Sequence, residues 1–88
     1  MNQQEVDQLL AMKQRCETLR QAVETIKVLC DQQRNYLSEN MDSMDLATRA
    51  ELLNQQQNNM RRYSDAMDEW VASVDAMDEW AANRKCNG

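Results

Sequence analysis

Eighty-eight residues hold one small domain, and a core of that size is marginal unless helices pack regularly or a partner adds surface. Ten Lys and Arg against fifteen Asp and Glu give a formal charge of −5, which sets phosphate backbones and anionic leaflets against the chain. With no histidine, no proline and one glycine, at position 88, the chain offers neither the usual hydrolase and metal chemistry nor the punctuation of sheets and hairpins.

An all-α reading follows. The opening MNQQEVDQLL is polar and acidic, unlike a secretory signal. Asn2 with Glu5 makes a capping-box variant at the start of a first helix, over about 3–37. Leu9, Met12, Cys16, Leu19, Val23, Ile26, Cys30, Gln33 and Leu37 then keep an unbroken 3-4 alternation, the seam of a coiled coil with 9, 16, 23, 30 and 37 at a. The charges follow the same heptad. Lys13, Arg20, Lys27 and Arg34 fall at e, while Glu17, Glu24 and Asp31 fall at b, so i,i+3 and i,i+4 contacts join them into one ladder. The ladder reads first as a solvated stabilising face.

Between 38 and 45 the pattern breaks. Asn40 suits a helix end, and Asp42, Ser43 or Asp45 suits a helix start, which predicts a turn. A second series, out of phase with the first, runs Leu46, Arg49, Leu53, Gln56, Met60, Tyr63, Met67, Trp70, Val74, Met77 and Ala81. It predicts a second helix over about 45–84, with Arg84 and Lys85 near the final carbonyls and a short tail over 85–88. The expectation is a single antiparallel helical hairpin over 1–88, with Leu9 near Met77, Cys16 near Trp70 and Leu19 near Met67. The polar seam entries Gln33, Arg49 and Gln56 predict a turn-proximal half that is looser than the open half.

The g positions widen the stripe: Ala22, Leu29 and Tyr36 on the first helix, and Leu52, Ala66, Ser73 and Trp80 on the second. An a/d/g stripe is wider than one facing helix covers, which predicts a homodimeric four-helix bundle or docking on another protein.

Asp65-Ala-Met-Asp-Glu-Trp70 recurs as Asp75-Ala-Met-Asp-Glu-Trp80. Ten residues leave the copies about 80° apart around a helix, so Trp70 joins the seam and Trp80 turns to one side. Trp80, Met77 and Trp70 with Asp68, Glu69, Asp75, Asp78 and Glu79 are the candidate partner-binding residues. The Asn54–Asn59 run is a polar, weakly packed middle of the second helix.

Cys16, Cys30 and Cys86 form no C-x-x-C pair. Residues 16 and 30 on one helix lie about 21 Å apart, too far for a bridge. They read as small hydrophobes plus a tail thiol, in a reducing and hence cytoplasmic setting. No apolar run approaches the ~20 residues of a membrane span. Carboxylates abound, but nothing desolvates a pair, and no glycine loop or metal ligand set is present, so neither an enzyme nor a cofactor is expected. In size and architecture the chain resembles small helical hairpins such as secretion-system chaperones and secreted WXG-type hairpins. The Trp-x-Gly turn of the latter is absent, since the turn here reads Glu39-Asn-Met-Asp-Ser43, and no residue is carried over. The expected function is a non-enzymatic coiled-coil interaction module, an adaptor, small chaperone or assembly subunit. Two further readings are an acidic inhibitor that mimics nucleic acid in a basic groove, and a self-assembling structural subunit. No nucleic-acid, membrane or small-molecule partner is expected.

Overall fold

A chain without proline or internal glycine meets no obstacle to long helices, and local side-chain bonds decide where they stop. The computed structural model describes residues 2–87, with side chains through Arg84. It is an antiparallel hairpin of α1 (Gln3–Asn40) and α2 (Leu46–Asn87), joined through a 3₁₀ turn at Met41–Ser43. The hairpin is 64 Å long and 17 by 15 Å across.

Asn2 caps α1 as the sequence suggests: its backbone is extended and its side-chain oxygen accepts from the Glu5 N–H at 2.8 Å. The Glu5 carboxylate reaches across the hairpin to Arg84 of α2, 3.2 Å from its Nε. At the other end α1 continues to Asn40, three residues beyond the expected limit, where Asn40 Nδ2 donates to the Tyr36 carbonyl. The chain reverses with no residue at positive φ among those described. The 3₁₀ turn tightens the backbone, Ser43 Oγ donates to the Asn40 carbonyl, and Met44 is extended.

Of the three offered starts for α2, Asp45 is the cap, its carboxylate accepting from the Thr48 N–H at 2.8 Å. Arg49, a polar interruption of the apolar series, closes the turn: its Nη2 donates to the Met41 carbonyl at 2.6 Å and reaches the Met44 carbonyl at 3.4 Å. Helix α2 runs through Asn87, so the tail expected over 85–88 is helical except for Gly88, which lies outside the described residues. The side chains of Lys85 and Cys86 also lie outside them.

The inner face of α1 is the one its sequence predicts. Cys16, Val23 and Leu37, all at a, are buried, and Met12, Leu19, Ile26 and Gln33 at d are half-buried. Helix α2 differs. Its inner residues are Arg49, Leu52, Gln56, Asn59, Tyr63, Ala66, Trp70, Ser73, Met77 and Trp80, a 3-4 series built on the d and g positions. The positions assigned to a are turned outward near the turn: Leu46 is 82% exposed, Leu53 42% and Met60 57%.

Two cross-links mark the alignment. Glu5 meets Arg84, and Asn59 Nδ2 donates to Gln33 Oε1 at 2.9 Å. Leu9 therefore lies level with about residue 80, and the expected pairing of Leu9 with Met77 is displaced by about one turn. The physical reason is polar matching. Gln33 is the only polar entry between Met12 and Leu37 of the α1 seam, and the d/g face supplies Asn59 to satisfy it. The same rotation brings both indoles inward, with small Ala66 and Ser73 beside them.

Candidate interaction surface

A two-helix hairpin has two broad flanks, and the inward choice of d/g on α2 decides what each carries. On one flank α1 contributes Lys27, Asp31 and Arg34, while α2 contributes Gln56, Met60 and Tyr63, around a shallow groove of about 330 Å³. Continued along α2, this flank carries the outward stripe Leu46, Leu53 and Met60, then the half-buried Met67 and Val74, with exposed Val71 beside them. Along α1 it carries the charge ladder. The opposite flank has exposed Leu29 and Tyr36 of α1 beside Leu52 of α2.

The ladder forms in two separate pieces, and among the described residues Lys13 and Lys27 enter no ion pair. Arg20 bonds Glu17 at 2.5 Å and Glu24 at 2.7 Å, and Arg34 bonds Asp31. The hydrogen bond from Arg20 lowers the Glu17 carboxyl below the usual carboxylate range, and Glu17 raises the Arg20 guanidinium in turn. All these side chains stay in solvent, so each pair contributes little to stability by itself.

The residues singled out from the duplicated hexapeptide separate into two groups. Asp68, Glu69, Asp75, Asp78 and Glu79 are exposed, whereas Trp70, Met77 and Trp80 are half-buried on the inner series. Trp80 does not stand to one side. Its indole Nε1 is shielded from solvent and has no hydrogen-bond partner, and the Arg84 guanidinium lies 4.6 Å from its ring centroid. Trp80, Arg84 and Glu5 form a clasp at the open end of the hairpin.

Leu53 and Met60 were assigned to the seam by their spacing, and the structure puts them on the outside. The signal that could have found them is the count of stripes: a, d and g of α2 each carry large apolar residues, and one facing helix covers only two.

Cys16 is buried and Cys30 half-buried, both as free thiols. Among the described residues no three ligand-type side chains gather, and no helix is long and apolar enough to cross a membrane. In comparisons with protein-family models, curated proteins and solved structures, no match to this chain was found.

Proposed function

We propose that this protein is a non-enzymatic helical interaction module, an adaptor, small chaperone or assembly subunit, that docks through the outward stripe of α2. The single observation that carries this reading is the placement of Leu53 and Met60: large apolar side chains at seam spacing, exposed, and in line with Met67 and Val74. The hairpin also lacks any fully buried side chain among the described residues, so added surface from a partner is worth more to it than to a larger domain. Asp68, Asp75 and Asp78 border the stripe and would select a partner with bases at its rim. With Trp70, Met77 and Trp80 drawn inward, the anchors are the methionines and leucine of the stripe, and the indoles support it from behind.

The test is proximity crosslinking in cells that express the chain, comparing the wild type with a Leu53→Glu/Met60→Glu double variant. Because both sites face water in the single hairpin, the variant keeps its helicity by circular dichroism. The reading expects a discrete crosslinked species, whatever its partner, that the variant loses. An identical crosslink pattern from both chains would overturn it.

A further inference from the structure

The ladder on α1 has a symmetry that solvation alone does not require. In order it reads Glu17, Arg20, Glu24, Lys27, Asp31, Arg34: minus, plus, minus, plus, minus, plus. Reversed about the midpoint between Thr25 and Ile26, each of these six meets one of opposite sign, while Lys13, the remaining ladder residue, meets uncharged Ser38. Position 17 meets 34, 20 meets 31, and 24 meets 27. A two-fold axis crossing α1 at that point would pair the helix with its own copy, antiparallel, with no like-charge contact.

Helix α2 carries a second self-complementary pattern, in the distribution of its charge along the axis. Residues 46–64 hold Arg49, Arg61 and Arg62 against Glu51, a net charge of +2. Residues 65–83 hold Asp65, Asp68, Glu69, Asp75, Asp78 and Glu79 with no base. Parallel pairing of α2 with itself sets six acids against six, and antiparallel pairing sets them against the basic half. An axis near Ser64 brings Met60 to the partner's Met67 and Leu53 to the partner's Val74. Beside them, Arg61 comes to the partner's Asp68. Within the chain neither Arg61 nor Asp68 has an ion pair among the described residues.

The two centres coincide. Glu5 lies level with Arg84 and Gln33 with Asn59, so the midpoint of the α1 ladder lies level with residues 64 to 66 of α2. One axis serves both helices, and the charge pattern and the apolar stripe were placed independently. We propose that the partner of this flank is a second copy of the chain, laid face to face in an antiparallel four-helix bundle whose two-fold axis passes between Ser64 and its copy. Across it α1 faces α1 and α2 faces α2. The groove at Lys27, Arg34 and Met60 receives the partner's Met67. This rests on the interaction reading above and names its partner.

A charge-inverted chain tests it: Glu17→Lys, Arg20→Glu, Glu24→Lys, Lys27→Glu, Asp31→Lys and Arg34→Glu together. The inverted ladder keeps every i,i+3 and i,i+4 pairing from residue 17 to residue 34, losing only that of Lys13 with position 17, and it remains self-complementary about the same axis. Wild-type and inverted chains, unfolded and refolded together, should each dimerise with themselves. In native mass spectrometry at low salt, mixed dimers should fall at least about tenfold below the statistical share, because every cross-axis pair between ladder positions 17 and 34 is of like sign in a mixed dimer. A statistical mixture would overturn the proposal. Monomers at high micromolar concentration for the wild type would also overturn it, while the crosslinking test with Leu53→Glu/Met60→Glu would still decide whether a foreign partner uses the stripe.

A second variant covers failure of the six-fold substitution to fold. Ser64→Cys, exposed on the stripe, should be joined to its own copy by a bis-maleimide spanning ~8–10 Å, the spacing of packed helices. Peptide mapping that finds residue 64 joined to 64 is the expected result. Crosslinks confined to the native cysteines would reject the axis.

Discussion

The open half of the hairpin and its turn-proximal half are built from the same heptads and end differently. Toward the open end, Ala66, Met67, Trp70, Ser73, Val74, Met77 and Trp80 are all at least half-buried, so α2 turns a face three positions wide onto α1. Toward the turn only Arg49, Leu52, Gln56, Asn59 and Tyr63 turn in, and three of those five are polar. Among the described residues the large exposed apolar side chains follow that division. Val28, Leu29, Tyr36, Leu46, Leu53 and Met60 belong to the turn-proximal half, against Leu10 and Val71 in the other. The difference teaches that the open half meets its packing needs within one chain. The other half bonds most of its inward polar groups, Arg49 Nε excepted, and has its apolar ones left over. An antiparallel copy would lay the former against the latter.

The comparison can be broken most strongly at Trp70. Its replacement by alanine removes the largest side chain of the inner d positions and should cost about 3 kcal/mol or more, read as a lower urea midpoint and largely lost helicity. Leu37, at 4% exposure the most buried residue of the chain, should cost about 2–4 kcal/mol as alanine. Leu53→Ala should cost less than about 0.5 kcal/mol in dilute solution, where no partner covers it. A Leu53 cost equal to that of Leu37 would mean that the a stripe is core after all.

Next in size is the cap of α2. Asp45→Ala should lower the melting temperature at neutral pH. The hydrogen bonds from Thr48 hold the Asp45 carboxyl below its ordinary range. A depressed folded value means that this stabilisation is complete above the ordinary carboxylate pKa, about 3.9, and is lost as the pH falls through the folded one. The gap between wild type and Asp45→Ala should therefore close below about pH 3.9, and a gap that persists there would remove the carboxylate from the cap. The smallest effect belongs to the clasp. Arg84→Ala loses an exposed ion pair and a cation–π contact, about 0.5–1 kcal/mol together, seen as faster amide exchange confined to the open end.

How far the sequence carried the fold differs between the helices. On α1 the a and d positions form an apolar series interrupted once, at Gln33, so the seam was readable, as were the Asn2 cap and the Glu17–Arg20–Glu24 and Asp31–Arg34 pieces of the ladder. The turn was readable from Asn40 and Asp45, though its closure by Arg49 was not, because a base at a seam position reads as an interruption until the carbonyls it reaches are known. On α2 the a positions are apolar throughout, while d holds Arg49 and Gln56 and g holds Asn59 and Ser73, so apolar spacing along the helix favours a/d over the d/g face that α1 meets. Features of the opposite helix made the choice: the polar Gln33 that meets Asn59, and Glu5 that draws in Arg84 and with it Trp80. The candidate site moved for the same reason, from the indoles to Met60 and Leu53.

The central claim is that α2 turns its d and g positions inward and leaves a for a partner. Its most direct test is methionine oxidation footprinting with dilute peroxide, read residue by residue across a concentration series. In dilute solution Met60, 57% exposed, should oxidise several-fold faster than the half-buried Met77. On raising the concentration, Met60 should become protected while Met77 stays unchanged. Equal rates for Met60 and Met77 in the dilute chain would contradict the inward d/g face, and with it the surface proposed for docking.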